Sequence, residues 1–430
     1  MAKKVVLETI GCKVNQYETE AVAQLFRQRG YEIVSTREEA DIYILNTCTV
    51  TSASDRKSRQ AIRRFKRDNP QGIVAAMGCY VQEETEEVRQ IPEVDVLVGV
   101  AGRDRIVDLV EEAMEGQRQE LILSLKDSVF EELPFGTQRE RTRAFLKVQD
   151  GCDNYCTYCK VRLARGPSRS RSPASVFREV ETLVDGGYRE IVLTGVHLGG
   201  YGRDLDGRWD LARLLKDLAS IPGLDRLRIS SVDPQEVTPQ LLAVIADSHN
   251  ICPHLHIPLQ SGSNRILKAM GRRYTREEYL DIIAEAKGAI PRLAVTTDII
   301  VGFPGEGEGD FQETIQLVEE VGFSRLHVFT YSPRAGTPAA KLQGQLPKAV
   351  KEERSRRLIA LGKELQHAFH RSLVGTKQQV IVEGVQGQGY EGLTDQYVRV
   401  LLPGSQELIG QMVLVEIAEA HREYVVGKLV

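Results

Sequence analysis

The sequence predicts an α/β protein in three units: an N-terminal parallel-sheet α/β domain, a central partial (β/α)6 barrel and a small C-terminal antiparallel β-barrel. Three observations carry this reading. Strand-like and helix-like runs alternate from residue 4 onward and again from about residue 144 to 330, which implies βαβ units with parallel strands. Between the two series, residues 116–142 lose their periodicity, contain Pro134 and Gly136 and end in the charged run QRERTR. Beyond Gly375 only short β runs separated by turn residues remain. The expected units span 1–125, 138–371 and 372–430.

In the first unit VVLETIG reads as a strand, Glu18 to Arg29 as an amphipathic helix, ADIYILNTC as a second strand, 55–67 as a helix and GIVAAMGC as a further strand. Parallel sheets gather functional groups where strands end at their carboxyl edge. Cys12, Cys48 and Cys79 each follow such an end. The second unit offers six strands: FLKVQDGC, EIVLTGVHLG, LRISSVDP, HLHIPLQSGS, AVTTDIIVGFPG and SRLHVFTYSP. Helices are expected near 173–186, 209–220, 236–248, 275–289 and 309–321, and six strands rather than eight mean a partial barrel. Pro347, as a first helical residue, opens one long helix to about Arg371. The last unit shows QQVIVEGV, YVRVLLPG, QMVLVEIAEA and EYVVGKLV as its strands.

Composition narrows the function. The 430 residues are 42% hydrophobic, which excludes disorder as the main state. With 56 basic and 60 acidic side chains the formal charge is −4, so a nucleic-acid partner must be met by a local basic patch. No uncharged apolar run approaches the roughly 18 residues of a membrane span, and MAKKVVLETIGC has no signal-peptide character. A cytoplasmic protein without a membrane partner is expected. Seven cysteines, an odd number, in a reducing compartment read as metal ligands, nucleophiles or packing.

Cys152, Cys156 and Cys159 form C-x3-C-x2-C directly after the first barrel strand. Three thiolates without a nearby fourth ligand can hold three irons of a [4Fe–4S] cluster and leave the fourth open. A zinc site expects four ligands in paired spacing, as in a zinc-stabilised RNA-binding protein. Cys252 stands apart and reads as a packed thiol, while His254 and His256 alternate on a strand and could share a face and a metal, the plainer reading being polar groups near the barrel mouth. GQGYEG at 387–392 joins two β runs and reads as a hairpin turn rather than a dinucleotide fingerprint. Strand ends nominate Thr194, Gly195, Ser231, Gln260 and Gly302, Phe303 and Pro304 as cofactor contacts, since glycines admit close backbone approach and hydroxyl or amide groups can meet polar ends. Arg63, Arg64, Lys66 and Arg67 lie in a helix with seven basic residues beside the Cys48 loop and are candidates for phosphate binding, extended by Arg165, Arg169 and Arg171.

The C-x3-C-x2-C motif, with an aromatic before its third cysteine, resembles radical S-adenosylmethionine (SAM) enzymes. That resemblance implies that the open iron chelates SAM, that Tyr158 lies against the adenine, and that reductive cleavage of SAM yields a radical able to attack C–H bonds. TIGCKVNQYETE, LNTCTVT and MGCY resemble the N-terminal domain of the methylthiotransferases, where three cysteines bind an auxiliary [4Fe–4S] cluster. ARGPSRSR, LTGVHLGGYG, RISSVDP, HIPLQSGSNRILKAMGRRYT, DIIVGFPGE and FTYSPRAGTPA extend the match almost end to end, and the last unit is similar to TRAM RNA-binding modules. Lys160, Val161 and Arg162 depart from the family's usual apolar, proline-containing run and set two charges beside the cluster. GCKVNQYETEAV and LTGVHLG look like the MtaB branch rather than the MiaB or RimO branches. The resemblance therefore implies 2-methylthiolation of N6-threonylcarbamoyladenosine beside the tRNA anticodon, with two [4Fe–4S] clusters, SAM, the tRNA anticodon stem-loop and a flavodoxin or ferredoxin-type electron donor. The alternative substrates are another modified adenosine or a ribosomal-protein side chain. The terminal unit counts five Lys/Arg against seven Asp/Glu over 371–430, so any RNA contact there is local.

Overall fold

A computed structural model describes residues 2–37, 40–126, 128–134, 142–387, 389–404 and 408–430. The N-terminal unit is a six-stranded sheet, every neighbouring pair parallel. Its central strands Ile42–Thr47 and Ile73–Gly78 are buried on both faces, which is why they read as unbroken apolar runs. The helix after the first strand spans Lys13–Gln28 and starts five residues earlier than periodicity suggested, with Cys12 as its N-cap. Gln119–Leu121 adds an edge strand to this sheet, so within 116–142, where the sequence suggests a linker or a strand exchanged between domains, regular structure continues to residue 121. Gly136 and the QRER portion of the charged run lie outside the described residues.

The central unit carries the six expected strands as two parallel three-stranded sheets. Arg143–Lys147, Glu190–Thr194 and Arg226–Ile229 form one, His254–His256, Ala294–Val301 and Arg325–Thr330 the other. Isolated bridges Leu227 to Ile251 and Ser231 to His256 join the sheets into one curved wall. Its outer helices bury Leu, Val and Ile against the strands in the largest apolar core of the chain. The long helix runs Lys348–Ser372, and Pro347 caps it from outside instead of serving as its first residue.

The terminal unit is a closed five-stranded barrel. Gly389–Thr394, a strand not expected from the sequence, pairs with Lys377–Gln386 across a tight turn at Gly387. GQGYEG is thus a turn running into a strand, as a hairpin requires. Closure is not purely antiparallel, because Arg399–Pro403 and Val425–Leu429 pair in parallel. Arg226 and Arg228 at the foot of the central wall donate to the carbonyls of Leu393, Gln379, Asp395 and Thr394, which fixes this barrel against the wall.

Candidate active site at the domain junction

Cys48 and Cys79 directly follow strand ends, Cys12 and Cys152 lie within three residues of one, and positive-φ glycines precede Cys12, Cys79 and Cys152. Gly78 has φ +98° just before Cys79, and a Cβ there would lie 2.4 Å from Asn46 Oδ1. Gly151, φ +71°, precedes Cys152, where a Cβ would lie 1.8 Å from the Pro167 carbonyl oxygen. Neither position accepts a side chain. Cys48 and Cys79 are buried, Cys12 is exposed, and Cys152, Cys156 and Cys159 are partly buried. Their sulfurs already receive hydrogen bonds: the Asn154 N–H to Cys152 at 3.4 Å, Arg272 Nη1 to Cys156 at 3.3 Å, and Arg165 Nε to Cys79 at 3.1 Å. Burial pushes the Cys79 and Cys152 thiols up to about 12 and Cys159 to about 11. Ionising them requires a positive centre close by.

The first two units meet through buried charge. Glu18 accepts from Arg165 at 2.8 and 3.0 Å and from Lys147 at 2.8 Å, and it forms an ion pair with Arg103 at 2.5 Å. Burial opposes its charge, yet Arg103, Arg165 and Lys147 hold its carboxyl well below the usual range. Arg165 also donates to Asp150 and Asn15, each at 3.0 Å. One guanidinium from the central unit thus reaches a cysteine ligand candidate of the N-terminal unit. Lys160 is buried and paired with Glu84 and Glu83, so its charge beside the Cys152 triad is neutralised. Arg162 lies 3.7 Å from the centroid of the exposed Tyr155 ring.

These contacts correct the basic-patch reading. Arg165, Arg169 and Arg171 are buried: Arg169 bonds the Arg165 carbonyl at 2.9 Å, and Arg171 pairs with Glu179 and with Glu132. They hold the fold together and are closed to RNA. On the helix Ser52–Asp68, Arg64 is tied to Glu8 at 2.6 Å and Lys66 to Asp95 at 2.7 Å. Arg56, Lys57, Arg63 and Arg67 form its exposed basic face. Linear sequence shows charge but not which charges face each other across the sheet.

Two adjoining cavities open between the units. One, about 640 Å³, is lined by Cys12 and Lys13, by Thr194, Gly195 and Ser231, and by Tyr397 of the terminal barrel. The other, about 190 Å³, is lined by Tyr158, Cys159 and Gln260. Asp298 and Phe329 border both. Of the strand-end candidates, Thr194, Gly195, Ser231 and Gln260 reach a cavity. The remaining three line neither of these two cavities: Phe303 is buried in a core with Ile266 and Met270, the Gly302 N–H donates to Glu306, and Pro304 continues that buried turn. Cys252 is buried beside Arg228 as a packed thiol. His256 and His327 each approach Asp298 Oδ1, at 3.3 and 3.1 Å, so the strand face anticipated at His254 and His256 is part of the cavity wall. Burial, then Arg228 and Arg143, push the Lys13 ammonium down to about 8. Lys13, Arg272 and Asp298 lie inside the motifs without being singled out by them, His327 and Tyr397 lie in none, and only the fold brings them to the site.

Comparison with known proteins decides the family. Residues 4–99 match the model described as uncharacterized protein family UPF0004, and residues 146–318 match the radical SAM superfamily. The chain is 44% identical over 434 residues to the threonylcarbamoyladenosine tRNA methylthiotransferase MtaB of Bacillus subtilis, covering 99% of this chain and 96% of the relative. The chain belongs to the radical SAM methylthiotransferase family. It is also 39% identical to a tRNA-2-methylthio-N(6)-dimethylallyladenosine synthase of Moorella thermoacetica, covering 98% and 97% of the two chains. Among solved structures, the radical SAM methyltransferase TsrM of Kitasatospora setae shares the fold at a TM-score of 0.57 and 14% identity, covering 79% of this chain and 77% of that one. Radical SAM methylthiotransferases require a [4Fe–4S] cluster and SAM, and the donors fit. Cys152, Cys156 and Cys159 are unbridged, the sulfurs of Cys152 and Cys156 already accept N–H bonds of the kind that stabilise cluster thiolates, and the 190 Å³ cavity begins at Cys159.

Proposed function

We propose that this enzyme adds a methylthio group to C2 of N6-threonylcarbamoyladenosine at position 37, next to the tRNA anticodon, using two [4Fe–4S] clusters and SAM. One observation supports this above others: the cavity bordered by Cys12 adjoins the cavity bordered by Cys159, sharing Asp298 and Phe329. A base held at that border lies within reach of both cysteine triads. Cys152, Cys156 and Cys159 would hold the first cluster, Cys12, Cys48 and Cys79 the second. When bound, the first supplies with SAM the one-electron chemistry that activates a C–H bond, and the second supplies sulfur.

The chain's own residues hold and shield these groups. Tyr158 and Gln260 flank SAM in the smaller cavity, while Thr194, Gly195 and Ser231 border the larger one. Arg272, itself anchored on Asp233 at 2.7 Å, orients Cys156, and Arg165 orients Cys79. The anticodon loop must present its base unstacked, as single-stranded RNA allows. The exposed face of helix Ser52–Asp68 and the TRAM-like terminal barrel receive the backbone. A flavodoxin or ferredoxin-type protein supplies electrons in the cytoplasm. The identity to a threonylcarbamoyladenosine enzyme, 44% against 39% for the dimethylallyladenosine synthase, favours this base over the other.

Alanine replacement of each triad tests the division of labour. Loss of Cys152, Cys156 and Cys159 should abolish SAM cleavage and about half the iron. Loss of Cys12, Cys48 and Cys79 should remove the other half and all methylthio product, while SAM cleavage continues. Methylthio product from the second variant would overturn the assignment.

A further inference from the structure

The larger cavity carries more positive charge than its own carboxylates answer. Lys13, Arg143 and Arg325 line it, against Asp298 as the acid in its wall. Asp298 is already engaged by His256 and His327. Among the described residues, Lys13 and Arg325 form no ion pair. Arg143 pairs with Glu383 at 2.9 Å and its Nη1 lies 3.9 Å from Glu190, but that buried nitrogen has no hydrogen-bond partner. Tyr397, held at φ +63°, sets its ring 5.4 Å from Lys13 Nζ, 5.6 Å from Arg143 and 3.7 Å from Arg228. Cations gathered around one aromatic ring repel each other, and a strained residue holds that ring in place. Both features cost stability in the free protein, and an anion entering the cavity would relieve the repulsion.

We propose that Lys13, Arg143 and Arg325 read a carboxylate carried on the N6 substituent of the target adenosine, and so select a threonylcarbamoyl base over a dimethylallyl one. This rests on the substrate assignment above and names the residues that enforce it. The threonyl carboxylate is the anionic feature that the dimethylallyl group lacks. An apolar substituent in the same place would leave Lys13 and Arg325 without a counter-charge and Lys13 desolvated.

The test is direct binding of the cluster-loaded enzyme, without SAM, to three synthetic anticodon stem-loops that differ only at N6. One carries threonylcarbamoyl, one its methyl ester and one dimethylallyl. Because all three share the same phosphates, backbone binding cancels. The acid should bind about tenfold or more tightly than the ester, as expected for a charge-assisted hydrogen bond. Arg325→Met, exposed and distant in sequence from every cysteine, should erase most of that preference and leave ester binding unchanged. Lys13→Met should do the same, with iron content measured because Cys12 is adjacent. An acid-over-ester preference that survives in both variants, or is missing in the unsubstituted enzyme, overturns the inference. Tighter binding of the dimethylallyl loop than of the acid overturns the substrate assignment itself.

Discussion

Replacing Glu18 with Gln removes a full negative charge from among Arg103, Arg165 and Lys147, whose nitrogens lie 2.5 to 3.0 Å from its oxygens. All four side chains are buried, so water cannot replace the lost charge. Breaking such a network from one side costs about 3–5 kcal/mol. Asp150 stays beside Lys147 at 2.6 Å and Arg165 at 3.0 Å, so the lower end, about 3 kcal/mol, is expected. Glu8→Gln is the matched control. It removes the partner of Arg64 and one of the two partners of Arg37, which keeps Asp68 at 3.6 Å, on a partly exposed face, and should cost about 1 kcal/mol at most. Hydrogen exchange read by mass spectrometry measures the opening of the helix Lys13–Gln28 and the strand Arg143–Lys147 that this network joins. Exchange there should rise by about two orders of magnitude in the Glu18 variant and by less than about tenfold in the control. Because the folded carboxyl sits below its ordinary range, its contribution is present above the unfolded value and fades as pH falls through the folded one. The difference between wild type and Glu18→Gln should therefore shrink only below about pH 4. Equal exchange in the two variants at neutral pH would refute the view that Glu18 joins the two units.

Changing Arg56, Lys57, Arg63 and Arg67 together to Gln should weaken tRNA binding at low salt and flatten its salt dependence, leaving SAM cleavage without tRNA near normal. An unchanged salt slope would return that face to plain solvent exposure. Arg64→Gln with Lys66→Gln should act instead on stability, by about 1 kcal/mol, since those side chains bind Glu8 and Asp95. Cys252→Ala should keep the full iron content, measured after anaerobic purification, because this cysteine is packed beside Arg228 and belongs to neither triad.

Much of this was legible in the sequence because the relevant signals are local. Parallel strands read as apolar runs, so alternation found the parallel sheets, while the N-terminal cysteines, of which Cys48 and Cys79 stand one residue past a strand end, are nominated by their place at strand ends together with their flanking words. The misses share a physical cause. Gly389–Thr394 has two glycines and a polar face, too weak a pattern to read as a strand until the neighbouring strands supply its partners. Arg165, Arg169 and Arg171 look like surface charge along the chain, yet Glu18, Asp150 and Glu179, distant or on other elements, bury them. The larger cavity draws Lys13, Arg143, Arg325 and Tyr397 from all three units of the chain. Lys160, a departure from the family's usual run, is answered by Glu83 and Glu84 of the neighbouring unit, a compensation visible only in the fold.

Mass spectrometry of tRNA nucleosides tests the central claim most directly. Cells lacking the protein should accumulate N6-threonylcarbamoyladenosine without its 2-methylthio derivative. The intact gene should restore that derivative, and a variant lacking Cys12, Cys48 and Cys79 should not. A change confined to the dimethylallyladenosine series, or no change in any methylthio nucleoside, would contradict it.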